Sequence, residues 1–269
     1  PGADEPGGEE RVAALSSRAH LDERPHREGS GPLGKRLGLE RGVSLEEGPR
    51  LYRWLAVVVS VLVWPFVAIE SRRLEVAHRI RTGVVVTNHR SFFDVPMALV
   101  VFRRIRRYPR VMVAAHWFER PGTGQLLRLA GAIPLDRTNP AVHLEAARRV
   151  LGAGVPILVL PEGRLAGEPG RPTSTGEFKT GAARLAADCG VPVWALGHVG
   201  TDEVWPRDRA LPRLNPLRRR RVVLVGSDRV REVDGDVRAA TLEIHGDVVA
   251  AIEHAVETRN ELAALSRAR

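Results

Sequence analysis

The stretch Val84-Val85-Val86-Thr87-Asn88-His89-Arg90-Ser91-Phe92-Phe93-Asp94 decides how this chain is read. Three consecutive valines point to a strand buried on both faces. The polar block after them falls at the strand's C-terminal end, where the active-site groups of α/β sheets collect. His89 and Asp94 are five residues apart and would not share a face of a regular helix. A turn leading into a helix would fold Asp94 back under the imidazole. A carboxylate accepting from one ring nitrogen fixes the tautomer, and the other nitrogen can then take a proton from a hydroxyl. The spacing alone carries little weight, because a His-x4-Asp pair is expected about 0.4 times by chance in such a composition.

Working outward, short apolar runs alternate with helical stretches. Further strands are expected at 111–114, 132–135, 156–160, 191–196 and 222–225, and helices near 93–105, 121–130, 140–153, 178–189 and 236–265. This alternation predicts an α/β fold: a mixed, largely parallel sheet flanked by helices, preceded by an N-terminal membrane-associated helical segment. The expected organisation is a poorly ordered extension over 1–50, a membrane-associated helix over 51–73 and one catalytic domain over 74–269. The extension is rich in Gly, Pro, Glu and Arg and lacks the layout of a secretory signal peptide. From Leu55 to Ile69 no residue is charged. As a helix this run would span roughly 22 Å, short of the ~30 Å hydrocarbon core. Its Trp and Arg flanks suit a membrane interface and Pro65 would kink it, so a helix dipping into one leaflet is expected.

The 269 residues carry a formal net charge of +9, which fits an anionic partner: nucleic acid, a membrane surface or a phosphorylated substrate. No nucleic-acid reader motif or aromatic platform accompanies that charge, so no nucleic-acid partner is expected. Cys189 is the single cysteine, which excludes an internal disulfide and argues against a thiolate metal cluster. No Gly-x-Ser-x-Gly elbow is present, which argues against a serine hydrolase.

Two more blocks sit at strand ends. Gly131-Ala132-Ile133-Pro134-Leu135-Asp136-Arg137 offers a guanidinium whose planar fork suits phosphate. Leu160-Pro161-Glu162-Gly163-Arg164 should reach the same sheet edge as His89, with Gly163 allowing a sharp turn, Glu162 able to accept from an arginine or a substrate hydroxyl, and Arg164 able to meet phosphate. Lys179 lies near the start of an Ala-rich helix, a position that favours anions. Arginines also cluster at Arg103, Arg104, Arg106, Arg107 and Arg110 and at Arg218 to Arg221, where they could hold lipid head groups.

The order and spacing of these blocks resemble the glycerophospholipid acyltransferase family, typified by 1-acylglycerol-3-phosphate acyltransferases. That family shows an Asn-His-x4-Asp block, a Gly-x-Ile-x-x-x-Arg block, a Pro-Glu-Gly block and a Val-Pro-Val-type strand. Here these are Asn88-His89 with Asp94, Gly131-Ala132-Ile133 with Arg137, Pro161-Glu162-Gly163, and Val191-Pro192-Val193. The resemblance implies transfer of a fatty acyl group to a lysophospholipid hydroxyl, with 1-acylglycerol-3-phosphate the leading acceptor. His89 would be the general base and Asp94 its orienting partner, while Arg137, Glu162, Gly163, Arg164 and Lys179 would bind substrate. The donor would be acyl-CoA or acyl-carrier protein, with no metal or redox cofactor, at the cytoplasmic face of the cell membrane. One departure stands out. The family often reads Pro-Glu-Gly-Thr-Arg, whereas here Leu165 takes the last place and Arg164 comes one residue earlier. Another lipid acceptor, such as a lyso-aminolipid or a glycolipid, is the first alternative, and a non-catalytic membrane-binding relative is the second.

Overall fold

The computed structural model describes residues 50–136, 140–168 and 170–268. Arg137 and, apart from Arg50, the extension expected over 1–50 lie outside the described residues. A seven-stranded sheet organises the rest. Its strands are β1 (Val67–Arg72), β2 (Val84–Thr87), β3 (Arg110–Ala114), β4 (Ile133–Leu135), β5 (Ile157–Val159), β6 (Val193–Val199) and β7 (Arg220–Arg231). They lie in the order β1-β7-β6-β2-β5-β3-β4. Strands β6, β2, β5, β3 and β4 run parallel, while β7 is antiparallel to β6 and carries β1 parallel at the edge. The mixed, largely parallel α/β sheet expected from the alternation of elements is therefore present.

Helices cover both faces. On one side lie α5 (Pro140–Gly152), α6 (Gly181–Cys189) and α8 (Val237–Arg267), over Val84, Val86, Val193 and Ala195. On the other lie α2 (Val76–Arg79) and α3 (Asp94–Arg104), over Val85, Trp194, Leu196 and Leu224. The valine run of β2 thus feeds both cores, the pattern of a strand buried on both faces. Two short helices, α4 (Thr123–Leu129) and α7 (Thr201–Val204), complete this part of the chain. Helix α6 stops at Gly190, whose left-handed backbone (φ 58°) returns its amide to Ala186 and Ala187 carbonyls. Helix α8 starts where Asp236 accepts from the Arg238 and Ala239 amides.

The segment expected as one membrane helix over 51–73 divides in two. Helix α1 covers Arg50–Val63, and residues 67–72 form the edge strand β1, paired from Val67↔Arg220 to Arg72↔Val225. Pro65 is the physical reason: it has no amide to continue the helix and its ring disfavours helical backbone just before it. No helix among the described residues is long and apolar enough to cross a membrane. Tyr52 and Ala56 of α1 pack on Leu99 of α3. Its outer face exposes Leu51, Trp54, Val57, Val61 and Leu62, with Trp64 just beyond.

Several of the clustered arginines hold the fold together. Arg107 donates to the carbonyls of Ala77, Ile80 and Arg81, closing the end of α2. Arg110 is fully buried and donates to Ala130, and Gly131 leaves it room: a Cβ there would sit 2.0 Å from the Arg110 guanidinium. Arg104 donates to Ile69 and Arg219 to Val67, both on β1.

Helix α8 approaches β6 so closely that a Cβ on Gly197 would lie 2.2 Å from the Ile252 amide nitrogen. Backbone on both sides leaves nothing to rotate away. Gly197→Ala should cost about 3 kcal/mol, read as a lower urea midpoint with an unchanged denaturant slope.

Candidate active site

His89 lies two residues beyond the end of β2, between the ends of neighbouring β5 and β6. Asn88 fixes that position. Its side-chain amide donates to the His198 carbonyl and its side-chain oxygen accepts from the His198 amide, each at 3.0 Å. The pair extends the β2–β6 ladder by one step through a side chain, so the backbone enters the turn at a defined point.

The turn ends at Asp94, the first residue of α3. One carboxylate oxygen, Oδ2, accepts from His89 Nδ1 at 2.8 Å and from the amides of Arg90 at 2.8 Å and Ser91 at 3.0 Å. A carboxylate at a helix N-terminus also meets the positive end of the helix dipole. Ser91 secures the turn, accepting from the Phe93 amide and donating to the Trp205 carbonyl. Burial works against charge on Asp94, but the electrostatic pull of the His198 ring, the hydrogen bond from the His89 ring and the Ser91 amide outweigh it. The carboxyl is held below its ordinary value. With Nδ1–H committed to Asp94, His89 presents Nε2 as an acceptor. The His89 side chain is 22% exposed while that of Asp94 is 3% exposed, so the imidazole can be reached from outside but its partner cannot.

Glu162 and Gly163 follow β5 on the same edge. Glu162 is buried, and both of its oxygens accept from backbone: Oε2 from the His89 amide at 3.1 Å and Oε1 from the Gly176 amide at 3.2 Å. Burial pushes its carboxyl up, only partly offset by those two amides. These contacts hold the site's frame together. Gly163 turns the chain with φ 64°. Arg164 and Lys179 are exposed, with no ion-pair partner among the described residues. Among the described residues no cluster of three or more His, Cys, Asp and Glu could hold a metal ion.

Three features escaped the sequence reading. Arg90 is buried and ties down the loop after Gly163: its guanidinium donates to the carbonyls of Glu168, Pro172 and Ser174 and pairs with Asp202 at 3.0 Å. His198 lies on the inner side of Asp94, 3.6 Å from Oδ1. Phe92, three positions after His89, gathers Trp117 and Trp205 into an aromatic rim, with ring centroids 6.0 and 5.8 Å from its own. The aromatic rim had one signal available, the Phe92-Phe93 pair beside a catalytic-looking histidine.

A family model described as Acyltransferase matches residues 68–199, which contain this whole site. The chain is 29% identical over 151 residues to the chloroplastic 1-acyl-sn-glycerol-3-phosphate acyltransferase LPAT1 of Arabidopsis thaliana, covering 55% of this chain and 40% of that protein. A second chloroplastic 1-acyl-sn-glycerol-3-phosphate acyltransferase, from Brassica napus, is 28% identical over 151 residues, 55% of this chain and 42% of that one. Residues 68–199 are thus an acyltransferase-family segment, and the chain is similar there to 1-acyl-sn-glycerol-3-phosphate acyltransferases. It spans about two-fifths of the length of these curated relatives. The fold of this chain is also that of the 1-acyl-sn-glycerophosphate (LPA) acyltransferase PlsC from Thermotoga maritima, with a TM-score of 0.59 and 18% identity over 82% of this chain and 94% of that one.

Because the Asp94 carboxyl is lowered in the folded state, its contribution to stability is complete above the ordinary carboxylate value and is lost as pH falls through its folded value. Asp94→Asn should therefore flatten the acid side of stability against pH. Urea midpoints measured from neutral pH downwards should fall less steeply in the variant than in the wild type.

Proposed function

We propose that this acyltransferase moves a fatty acyl group from acyl-CoA or acyl-carrier protein to the free hydroxyl of a lysophospholipid, with 1-acylglycerol-3-phosphate the leading acceptor. The observation that carries this reading is the dyad: His89 bound through Nδ1 to an ionised Asp94, with Nε2 turned to an accessible edge. The acceptor hydroxyl gives its proton to His89 Nε2 as its oxygen attacks the thioester carbonyl carbon. The tetrahedral intermediate then collapses, the C–S bond breaks, and the thiolate takes the proton back from Nε2. An ester and a free thiol result, and His89 returns to its starting state. Throughout, Asp94 holds the imidazole's tautomer and offsets the charge it gains. The step requires no metal or redox cofactor.

The phosphate of the acceptor is assigned to Arg164 and Lys179, both exposed and unpaired among the described residues, with Arg137 as a third cation. Gly163 lets the backbone approach it. The aromatic rim of Phe92, Trp117 and Trp205 offers apolar surface for an acyl chain. Placing Arg164 before Leu165 favours one further reading, an acceptor with a different head group.

The working place of this chemistry is a membrane surface, at the cytoplasmic face where the water-soluble donors are found. Helix α1 packs one face on α3 and leaves Leu51, Trp54, Val57, Val61 and Leu62 uncovered. An exposed apolar patch of this kind marks a surface that a membrane or partner covers. Beside it runs a groove of about 510 Å³ lined by Trp64, Arg103, Arg104 and Arg219, which suits anionic head groups.

Thiol release from a long-chain acyl-CoA, followed with and without lysophosphatidate, tests the assignment. His89→Ala should reduce acceptor-dependent release about 10²- to 10⁴-fold. Cys189→Ala should retain it, because no acyl-enzyme forms. Release that needs Cys189, or none with any lysolipid and either donor, would overturn the proposal. For the membrane, Trp54→Glu combined with Val61→Glu should abolish flotation with anionic vesicles while leaving the circular dichroism spectrum unchanged. Retained flotation would place the contact elsewhere.

A further inference from the structure

The acyl-transfer reading uses one oxygen of Asp94 and leaves the other unexplained. Oδ2 accepts three hydrogen bonds, whereas Oδ1 is buried with no hydrogen-bond partner among the described residues. A bare carboxylate oxygen in that setting is costly. The polar atom facing it is Nε2 of His198, 3.6 Å away.

His198 is itself unusual. It is fully buried on β6, where Gly197 faces the backbone of α8 and the next side chain along the strand turns to the opposite face, shared with Trp194 and Leu196. An apolar residue would be the ordinary occupant. Nε2 lies 2.9 Å from the Asn88 carbonyl, which can only accept, so Nε2 carries the hydrogen. Nδ1 is then the acceptor, 3.5 Å from the Thr201 hydroxyl. Burial pushes this ring down and outweighs the pull of Asp94 and of the Asn88 carbonyl, so it is neutral. What it offers Asp94 is therefore an N–H dipole rather than a full charge.

We propose that His198 is a positioning residue of the acyl-transfer site, its Nε2–H shared between the Asn88 carbonyl and Asp94 Oδ1 so that the carboxylate stays ionised and aimed at His89 while that ring gains and loses its proton. This rests on the catalytic role given to His89 and Asp94. A second cation behind Asp94 would compete with His89 for the same charge, and an apolar residue would leave Oδ1 bare. A buried neutral imidazole avoids both. The other ionisable groups around Asp94 are already committed. Glu162 accepts from two amides, and the Arg90 guanidinium is turned to Asp202 and to loop carbonyls. His198 is left as the group that can respond.

The test separates the donor from the bulk of the ring. Glutamine can carry an amide N–H to the place of Nε2, whereas asparagine is too short and leucine has no donor. The Asp94 carboxyl carbon is followed by NMR from neutral pH downwards in wild type, His198→Gln, His198→Asn and His198→Leu, its signal identified by its absence in Asp94→Asn. Loss of the donor should raise the Asp94 midpoint by about one unit in the Asn and Leu variants and leave it near wild type in the Gln variant. Thiol release should show the same order, with kcat reduced and KM little changed. The NMR readout needs no substrate, so an error in the assigned reaction would leave it intact. An Asp94 midpoint equal in all folded variants would overturn the proposal, whatever their activity. If His198→Leu does not fold, the Gln and Asn variants carry the same comparison.

Discussion

A single carboxylate oxygen sets the geometry of this site. Asp94 Oδ2 gathers the His89 ring and two successive backbone amides, so one atom defines the turn, starts α3 and orients the imidazole. These contacts depend on one another. The turn places the amides, the amides keep the carboxylate ionised, and the ionised carboxylate fixes the imidazole tautomer. Around it, the side chains of Asn88 and Glu162 act as pieces of backbone, joining the His89 strand end to β6 and to the loop after β5. Buried polar groups that are fully used in this way add rigidity where catalysis needs a fixed distance.

Much of this was legible in the sequence, for a physical reason. Strands buried on both faces produce uninterrupted apolar runs, and Val84–Val86 and Ile157–Val159 stand out against an Arg-rich background. Polar blocks immediately after such runs fall at one sheet edge, so the sequence alone places His89 and Glu162 together. The edge strand β1 was harder to see. Its first residues, Val67 to Ile69, continue the apolar run of α1, and only Pro65 marks the change of structure.

The roles of individual polar residues were less accessible. Arg107 and Arg110 read as parts of a basic patch, yet one closes a helix end and the other is buried beside Gly131. Glu162 reads as a ligand for substrate and is occupied by two amides. His198 sits 109 positions beyond His89 and carries no local signal. Charge and spacing indicate that a polar group is present. Which atom it faces depends on strand order, here the adjacency of β2 and β6, and no local pattern encodes that.

Arg90 reaches across to the loop after Gly163 and holds it almost entirely by main-chain carbonyls, those of Glu168, Pro172 and Ser174. Every amino acid supplies a carbonyl. Side chains of that loop can therefore be exchanged without loosening this grip, except at Gly167, where a Cβ would lie 2.4 Å from the Arg90 guanidinium, and at Ser174, whose hydroxyl accepts from the Glu168 amide. Such a joint lets the outer residues of the loop drift, or be redesigned, while the neighbouring His89–Asp94 pair stays undisturbed.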